Sequence, residues 1–168
     1  MSITERIETT VKTLILYATK HGAAREIAQR IARLIDGSVL HDLKQGGVPP
    51  LAEYDCIIIG GSVYAGMLRK EAKTFLPQNA DALRGKRLGL FLCGMDASRE
   101  QAYFKANFPP DILQAAKAAS FMGGIFDPKK AGVMGRLIMK AVAKQAVYTD
   151  TIDDGKIKQF TEDMLEGS

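Results

Sequence analysis

The chain has 168 residues, 46% of them hydrophobic, and can therefore bury one core of the size of a single domain. Its formal net charge is +4, and the basic residues form no long run. We therefore expect no nucleic-acid partner. The positive charge is either a generally cationic surface or a sign of an anionic partner such as phosphate, carboxylate or lipid headgroups.

Cysteines, apolar runs and the first residues indicate where the protein is found. Cys56 and Cys93 lie in apolar runs without the spacing of a zinc site or a disulfide framework, so we expect buried, reduced thiols. No apolar run reaches the roughly 18 residues that cross a membrane. Residues 1–10 are polar, unlike a secretion signal, and we interpret them as an N-terminal extension to one domain over residues 11–168. We predict a cytoplasmic protein, with contact to a membrane surface left open.

The first predicted strand and helix are joined by a short polar loop. Residues 11–17 are apolar and partly β-branched, which is typical of a buried strand in a parallel sheet. From Ala23 onward apolar residues recur at intervals of three and four, which predicts an amphipathic helix. The N–H groups of a first helical turn lack partners and the helix dipole favours negative charge. This loop is therefore either a phosphate site or an ordinary strand-to-helix turn.

The rest of the chain alternates in the same way. Four further strands are predicted, at residues 38–43, 55–61, 87–93 and 118–125, and helices are predicted at about 68–83, after a cap at Ser98, at 133–144 and after Asp153 and Asp154. Strands alternating with helices over short connections form right-handed βαβ units. We expect an α/β three-layer sandwich with a five-stranded parallel sheet, in which the loops after the first, third and fourth strands meet at one edge.

Two nucleotide-binding motifs and one phosphorylation site are absent. The first loop has neither the GxxxxGK motif of nucleoside triphosphate sites nor the GxGxxG motif of dinucleotide sites. A phospho-receiver domain needs carboxylates at the ends of the first and third strands, where Tyr17 and Gly60 stand. With these sites excluded, the first loop still offers hydroxyl, cationic and backbone donors, and two loops of small residues lie beside it. This combination suits a phosphate with a flat ring attached.

Three segments resemble the flavodoxin family: TLILYATKHGAAREIA at 13–28, YDCIIIGGSVYAG at 54–66, and MGRLIMKAVAK at 134–144 followed by VYTD at 147–150. The resemblance implies the flavodoxin-like strand order 2-1-3-4-5 and FMN as the cofactor. Within the family the chain is most similar to the menaquinone-dependent protoporphyrinogen dehydrogenases of heme biosynthesis. That similarity implies an FMN-dependent enzyme with a tetrapyrrole substrate and a quinone partner.

The same resemblance implies which residues bind FMN. The residues implied for the phosphate are Thr19, Lys20, His21, Gly22, Ala23 and Ala24. Those implied for one side of the flavin are Ser62, Val63, Tyr64, Ala65 and Gly66, and those for the other side are Cys93, Gly94, Met95 and Asp96. No catalytic residue and no metal ligand is implied, because the flavin itself performs the redox chemistry.

The contribution of three of these residues to FMN binding has more than one interpretation. The family usually has a threonine where Ala24 stands, and losing one hydroxyl donor to a charged acceptor costs about 1.5–3 kcal/mol of binding. The charge of Lys20 is expected to compensate. Tyr64 either stacks on the flavin or covers the edge of the core, and Asp96 is either a flavin contact or a turn residue.

The helix predicted at 133–144 is amphipathic. One face carries Val133, Met134, Leu137, Ile138, Ala141 and Val142, and a stripe carries Arg136, Lys140 and Lys144, with Lys129 and Lys130 upstream. Either the helix packs on the sheet in the ordinary way, or it forms a cationic edge that receives porphyrin propionates or lies on anionic lipid. In the similar dehydrogenases the segment before VYTD is longer than in this chain.

Three functions are therefore compared. The first is the protoporphyrinogen dehydrogenase. The second is a non-catalytic FMN electron carrier, which the basic charge disfavours because electron-carrier flavodoxins are, as a family, acidic. The third is a binding module that has the fold without the flavin.

Overall fold

The computed structural model describes residues 10–143 and 147–167, so most of the predicted extension and Lys144 lie outside the described residues. Five parallel strands form the central sheet: β1 (Thr13–Ala18), β2 (Val39–Asp42), β3 (Cys56–Tyr64), β5 (Arg87–Cys93) and β6 (Ala118–Phe121). A short strand, β4 (Met67–Leu68), pairs antiparallel with the end of β3. The order β2-β1-β3-β5-β6 confirms the predicted fold class and strand order.

Helices connect the strands and cover both faces of the sheet. They are α1 (Ala23–Leu34), α2 (Lys70–Gln78), α3 (Ala80–Arg84), α4 (Glu100–Asn107), α5 (Pro110–Ala115), α6 (Pro128–Ala143) and α7 (Asp154–Leu165). Two more short strands, β7 (Ile125–Phe126) and β8 (Thr149–Asp150), pair with each other antiparallel outside the main sheet. Among the described helices, none is both long and apolar enough to cross a membrane.

The core has two halves, one on each face of the sheet. Successive strand residues point to opposite faces. In β1, Leu14 and Leu16 pack toward α2, α3, α4 and α5, whereas Ile15 and Tyr17 pack toward α1 and α7. This burial on both sides explains why the strands are continuous apolar runs.

Two predicted elements are divided in the structure. The helix predicted at 68–83 is α2 and α3, because Asn79 leaves the helical conformation with φ −123° just after Pro77, and its side-chain Nδ2 donates to Phe75 O at 2.9 Å. The strand predicted at 118–125 is β6 and β7. Gly123 lies between them with φ 81°, and β7 leaves the main sheet to pair with β8.

The segment after the third predicted strand forms a hairpin instead of the expected loop. β3 continues through Ser62 and Tyr64, and the chain reverses at Ala65 and Gly66, which have φ values of 50° and 81°. Positive φ at two central residues is the geometry of a tight hairpin turn. The ring of Tyr64 is therefore held on a hairpin rather than on a free loop.

Helix α6 does not pack in the ordinary amphipathic way. Gly132 interrupts it with φ 68°, so its regular part begins at Val133. Val133, Met134 and Leu137 are 69%, 66% and 57% exposed. The packed-helix alternative is therefore wrong for these three side chains, and the side chains of Ile138 and Val142 lie outside the described residues.

Candidate functional site

The carboxyl ends of three neighbouring strands form one cleft. In the sheet register Ala18 of β1 pairs with Gly61 of β3, and Ser62 of β3 pairs with Cys93 of β5. The segments that follow these strands therefore begin side by side, as the strand order requires. The space between these segments amounts to about 940 Å³ when the open solvent at its mouth is included.

Most of the residues predicted for FMN border this cleft. They are Lys20, His21, Ala23, Ser62, Val63, Tyr64, Ala65, Gly66, Cys93, Gly94, Met95 and Asp96. Thr19 and Gly22 of the first loop and Ala24 of the first turn of α1 do not line the cleft. Ala24 is fully buried on the core-facing side of α1, so its methyl group faces the protein.

The first loop is braced by its own side chain. Thr19 Oγ1 accepts a hydrogen bond from Gly22 N at 2.8 Å. Gly22 has φ 102°, a conformation that glycine adopts without steric cost. Among the described residues no side chain caps the start of α1, so the N–H groups of its first turn can bind an anion.

Lys20 joins the first loop to the β3–β4 hairpin. Its backbone N donates to Ser62 Oγ at 3.3 Å, and its ammonium Nζ lies 3.5 Å from the centroid of the Tyr64 ring. A cation at this distance over an aromatic face is attracted by the ring quadrupole. The contact holds Tyr64 beside the loop implied for phosphate.

Cationic side chains gather at the mouth of the cleft. Burial lowers the pKa of His21, and the nearby charges of Lys20, Arg69 and Lys130 lower it further. Arg69 is fixed there because its backbone N donates to Ser62 O at 3.2 Å. Its buried side-chain Nε has no hydrogen-bond partner among the described residues. The charge of Asp127 acts on His21 in the opposite direction. An unpaired guanidinium donor and the nearby positive charges suit an anionic group.

The third loop is held by a turn and by close backbone packing. Asp96 Oδ1 accepts from Ser98 N at 3.2 Å, so Asp96 forms a turn in this loop while it also borders the cleft. Ser98 lies inside a short 3₁₀ segment instead of capping α4. Gly94 N donates to Gly123 O at 3.0 Å. A Cβ on Gly124 would lie 2.7 Å from Gly94 O, so only glycine allows this approach.

The two cysteine thiols do not provide reactive groups. Burial raises the pKa of Cys93 to about 12 and that of Cys56 to about 11. A thiol that stays protonated at neutral pH is a poor nucleophile. Within residues 10–143 and 147–167 no group of three or more His, Cys, Asp or Glu side chains is placed to hold a metal ion.

Sequence reasoning missed one side of the cleft. Its further lining residues are Tyr103, Gly124, Ile125, Phe126, Gly135 and Met139. They come from α4, from α6 and from the segment before and within β7. Gly135 and Met139 stand four residues apart on α6, a spacing that places both on one helix face, but the sequence does not show what that face contacts.

Asn107 was also missed. It is buried, its Oδ1 accepts from Leu68 N at 2.9 Å, and its Nδ2 donates to Gly66 O and Tyr103 O, each at 2.9 Å. These bonds attach the β3–β4 hairpin to α4. The sequence gives no signal for this role, because Asn107 lies about 40 residues from its hairpin partners.

The chain was compared with known proteins. A family model described as flavodoxin domain matches residues 14–152. No curated protein matches the chain. Among solved structures, oxidised flavodoxin 2 from Bacillus cereus has 21% identity and a TM-score of 0.56, with 94% of this chain and 99% of that chain covered.

Two more solved structures have the same architecture. A short-chain flavodoxin associated with a non-canonical PDU bacterial microcompartment has 15% identity and a TM-score of 0.58, covering 94% of this chain and 98% of that one. The Streptococcus pneumoniae TIGR4 flavodoxin has 17% identity and a TM-score of 0.53, covering 90% and 96%. At these identities the likeness establishes the fold, and the family match establishes membership: the chain belongs to the flavodoxin-domain family.

Proposed function

We propose that the protein is an FMN-dependent oxidoreductase of the protoporphyrinogen dehydrogenase type, which moves electrons from a reduced tetrapyrrole to a quinone. FMN is the cofactor that family membership and the residues of the cleft support. When bound, FMN supplies the reversible electron and hydride chemistry that protein side chains lack. The residues of the chain bind the cofactor, orient it and shape the space beside it.

Each part of the cleft has a role in this proposal. The first turn of α1 and the side chains of Lys20 and Arg69 provide donors and positive charge for the phosphate. Tyr64 provides an aromatic face and is held in place by the Lys20 ammonium. Asn107 keeps the hairpin that bears Tyr64 attached to α4.

The observation that supports an enzyme most strongly is the additional apolar side of the cleft. Ile125, Phe126 and Met139 line it, and they come from segments outside the three strand ends. A protein that only exchanges electrons with another protein needs an accessible flavin edge. Space enclosed by apolar side chains suits a second flat, apolar reactant such as a quinone.

The positive charge at the mouth of the cleft suits the other reactant. A reduced tetrapyrrole of this class carries propionate groups, and carboxylates pair with Lys and Arg side chains. Lys130 and Arg69 both act electrostatically on His21, which borders the cleft. Overall, two electrons and two protons at a time leave the tetrapyrrole and reduce the quinone to a quinol.

Anaerobic turnover tests the proposal. The FMN-loaded protein is mixed with protoporphyrinogen IX and a menaquinone analogue, and porphyrin fluorescence is followed against a control with the same concentration of free FMN. A rate well above the control supports the dehydrogenase. FMN binding without turnover would contradict the dehydrogenase and favour the electron carrier, and a protein that takes up no FMN would contradict both.

A matched pair of variants locates the quinone. Met139 is buried against the cleft, whereas Met67 is 52% exposed on β4. Met139→Gln keeps the side-chain length but places an amide against the apolar ring, so the KM for the quinone is expected to rise about tenfold. Met67→Gln is expected to leave this KM unchanged, and equal effects of the two substitutions would place the quinone elsewhere.

A further inference from the structure

Apolar side chains are exposed together on and beside α6. Val133, Met134 and Leu137 are exposed, at 69%, 66% and 57%. Val147 and Tyr148 are 51% and 62% exposed. They directly precede β8, whose Thr149 pairs with Phe126 of β7 shortly before α6 begins, so they lie close to the start of the helix.

The helical geometry arranges α6 into three faces. Successive residues turn by about 100°, so Val133, Met134 and Leu137 share one stripe within about 100°. Gly135 and Met139 lie on the opposite side and border the cleft. The exposed side chains of Arg136 and Lys140 lie between these two faces, along one side of the apolar stripe.

The charges around the stripe are mostly of one sign. Four exposed cations, Lys129, Lys130, Arg136 and Lys140, belong to residues 127–143, which contain one carboxylate, Asp127. The Asp127 side chain accepts a hydrogen bond from Lys129 N at 2.9 Å. An apolar stripe bordered by lysine and arginine is complementary to a surface that is apolar inside and anionic outside.

We propose that α6 docks on an anionic lipid bilayer, with Val133, Met134 and Leu137 inserted at the boundary between headgroups and acyl chains. A helix with one apolar face and flanking cations lies in this interface, held by apolar burial and by attraction to anionic headgroups. Val147 and Tyr148 extend the inserted surface at the base of the helix.

The docked orientation places the cleft at the membrane surface. The face of α6 that carries Gly135 and Met139 borders the cleft, and the opposite face inserts into the lipid. A lipid-soluble quinone then reaches the cleft without crossing bulk water. This use of the surface rests on the proposed function, whereas the docking itself rests on the exposure and charge of α6.

Vesicle sedimentation of the full chain with FMN tests the docking. Phosphatidylcholine vesicles with and without phosphatidylglycerol are compared at low and high salt. Met134→Glu/Leu137→Glu replaces two of the three side chains of the apolar stripe with carboxylates and is expected to weaken binding to anionic vesicles by about tenfold or more. The matched control Val39→Glu/Met67→Glu adds the same charge at exposed apolar positions outside α6 and is expected to weaken binding far less.

A second set of variants tests the charges. Replacing Lys129, Lys130 and Lys140 by Gln is expected to reduce binding to anionic vesicles by roughly fivefold per lysine, with little change for neutral vesicles. Circular dichroism and the flavin absorbance spectrum show whether each variant has folded.

Three results would overturn the proposal: no sedimentation of the wild type with anionic vesicles, equal losses in the two glutamate variants, or a homodimer in solution that Met134→Glu/Leu137→Glu dissociates. Vesicle sedimentation measures binding independently of enzyme activity. A protein that binds vesicles but oxidises no tetrapyrrole therefore contradicts the proposed function alone, and a soluble, active enzyme contradicts the docking alone.

Discussion

Lys20 lies in the first loop and contacts the end of β3 twice, through its backbone N to Ser62 and its ammonium to Tyr64. Its side chain is exposed, so salt partly screens its charge. Lys20→Met is expected to raise the Kd of FMN about tenfold at low salt, because a charge-assisted contact with the phosphate is lost.

Fluorescence titration of FMN measures the effect of this substitution. Lys12→Met is the control, since Lys12 is also exposed but precedes β1 at the opposite edge of the sheet. A Kd that Lys20→Met leaves at the wild-type value would show that the first loop does not hold the phosphate.

Because of the two buried thiols, the free energy of unfolding is expected to fall as the pH rises through the alkaline range. Burial raises their pKa values to about 11 for Cys56 and about 12 for Cys93, above the value of 9.0 of an exposed thiol. Between pH 9 and 11 the unfolded chain loses these protons while the folded chain keeps them. The free energy of unfolding is therefore expected to be unaffected by the thiols below pH 9 and to fall by at most about 1.4 kcal/mol per pH unit for each thiol above it.

Urea denaturation at several pH values from 8 to 11 measures this fall. The comparison is with Cys56→Ala/Cys93→Ala, in which other alkaline titrations remain but the thiols are gone. If the free energy of unfolding falls equally with pH in the variant and in the wild type, the thiols do not cause the fall.

At the scale of the element, the β3–β4 hairpin depends on one buried amide. Asn107 accepts from Leu68 N and donates to Gly66 O. Asn107→Ala leaves these backbone groups unpaired and is expected to lower the free energy of unfolding by about 2–3 kcal/mol. FMN affinity is expected to fall with it, because the hairpin also carries Tyr64.

Chemical denaturation and FMN titration of two variants check this prediction. Asn79→Ala removes one amide-to-carbonyl bond, to Phe75 O at the end of α2, and is expected to cost about 1 kcal/mol without changing FMN affinity. If Asn107→Ala behaves like Asn79→Ala in both measurements, the hairpin does not need its attachment to α4.

Elements also show what local sequence does and does not determine. The apolar runs around Ile57 and Leu90 predict buried strands because parallel sheets bury both faces of each strand. The pattern of α6 predicts a helix correctly, but not whether Leu137 faces protein or solvent, because helical spacing says only which residues share a face. The role of Asn107 could not be predicted for a related reason, because its hydrogen-bond partners on the hairpin are distant in sequence and only the fold brings them together.

At the scale of the molecule, strand order decides where the cleft forms. With β1 and β3 adjacent in the centre of the sheet and β5 beside them, three loops reach one edge. The alternation of strands and helices predicts a parallel sheet with its loops at the carboxyl edge, and the resemblance to the flavodoxin family implies the strand order. The apolar side of the cleft was not predictable, since Phe126 and Met139 belong to segments that return to the site after the last sheet strand. The same segments hold the exposed cations of α6.

The central claim is that this cleft binds FMN through its phosphate and its ring. Fluorescence titration of FMN and of riboflavin with the purified, flavin-free protein tests it most directly. The account predicts quenching that saturates at one FMN per chain, with riboflavin bound at least about tenfold more weakly because it lacks the phosphate. FMN fluorescence that stays unchanged, or equal affinities for FMN and riboflavin, would contradict it.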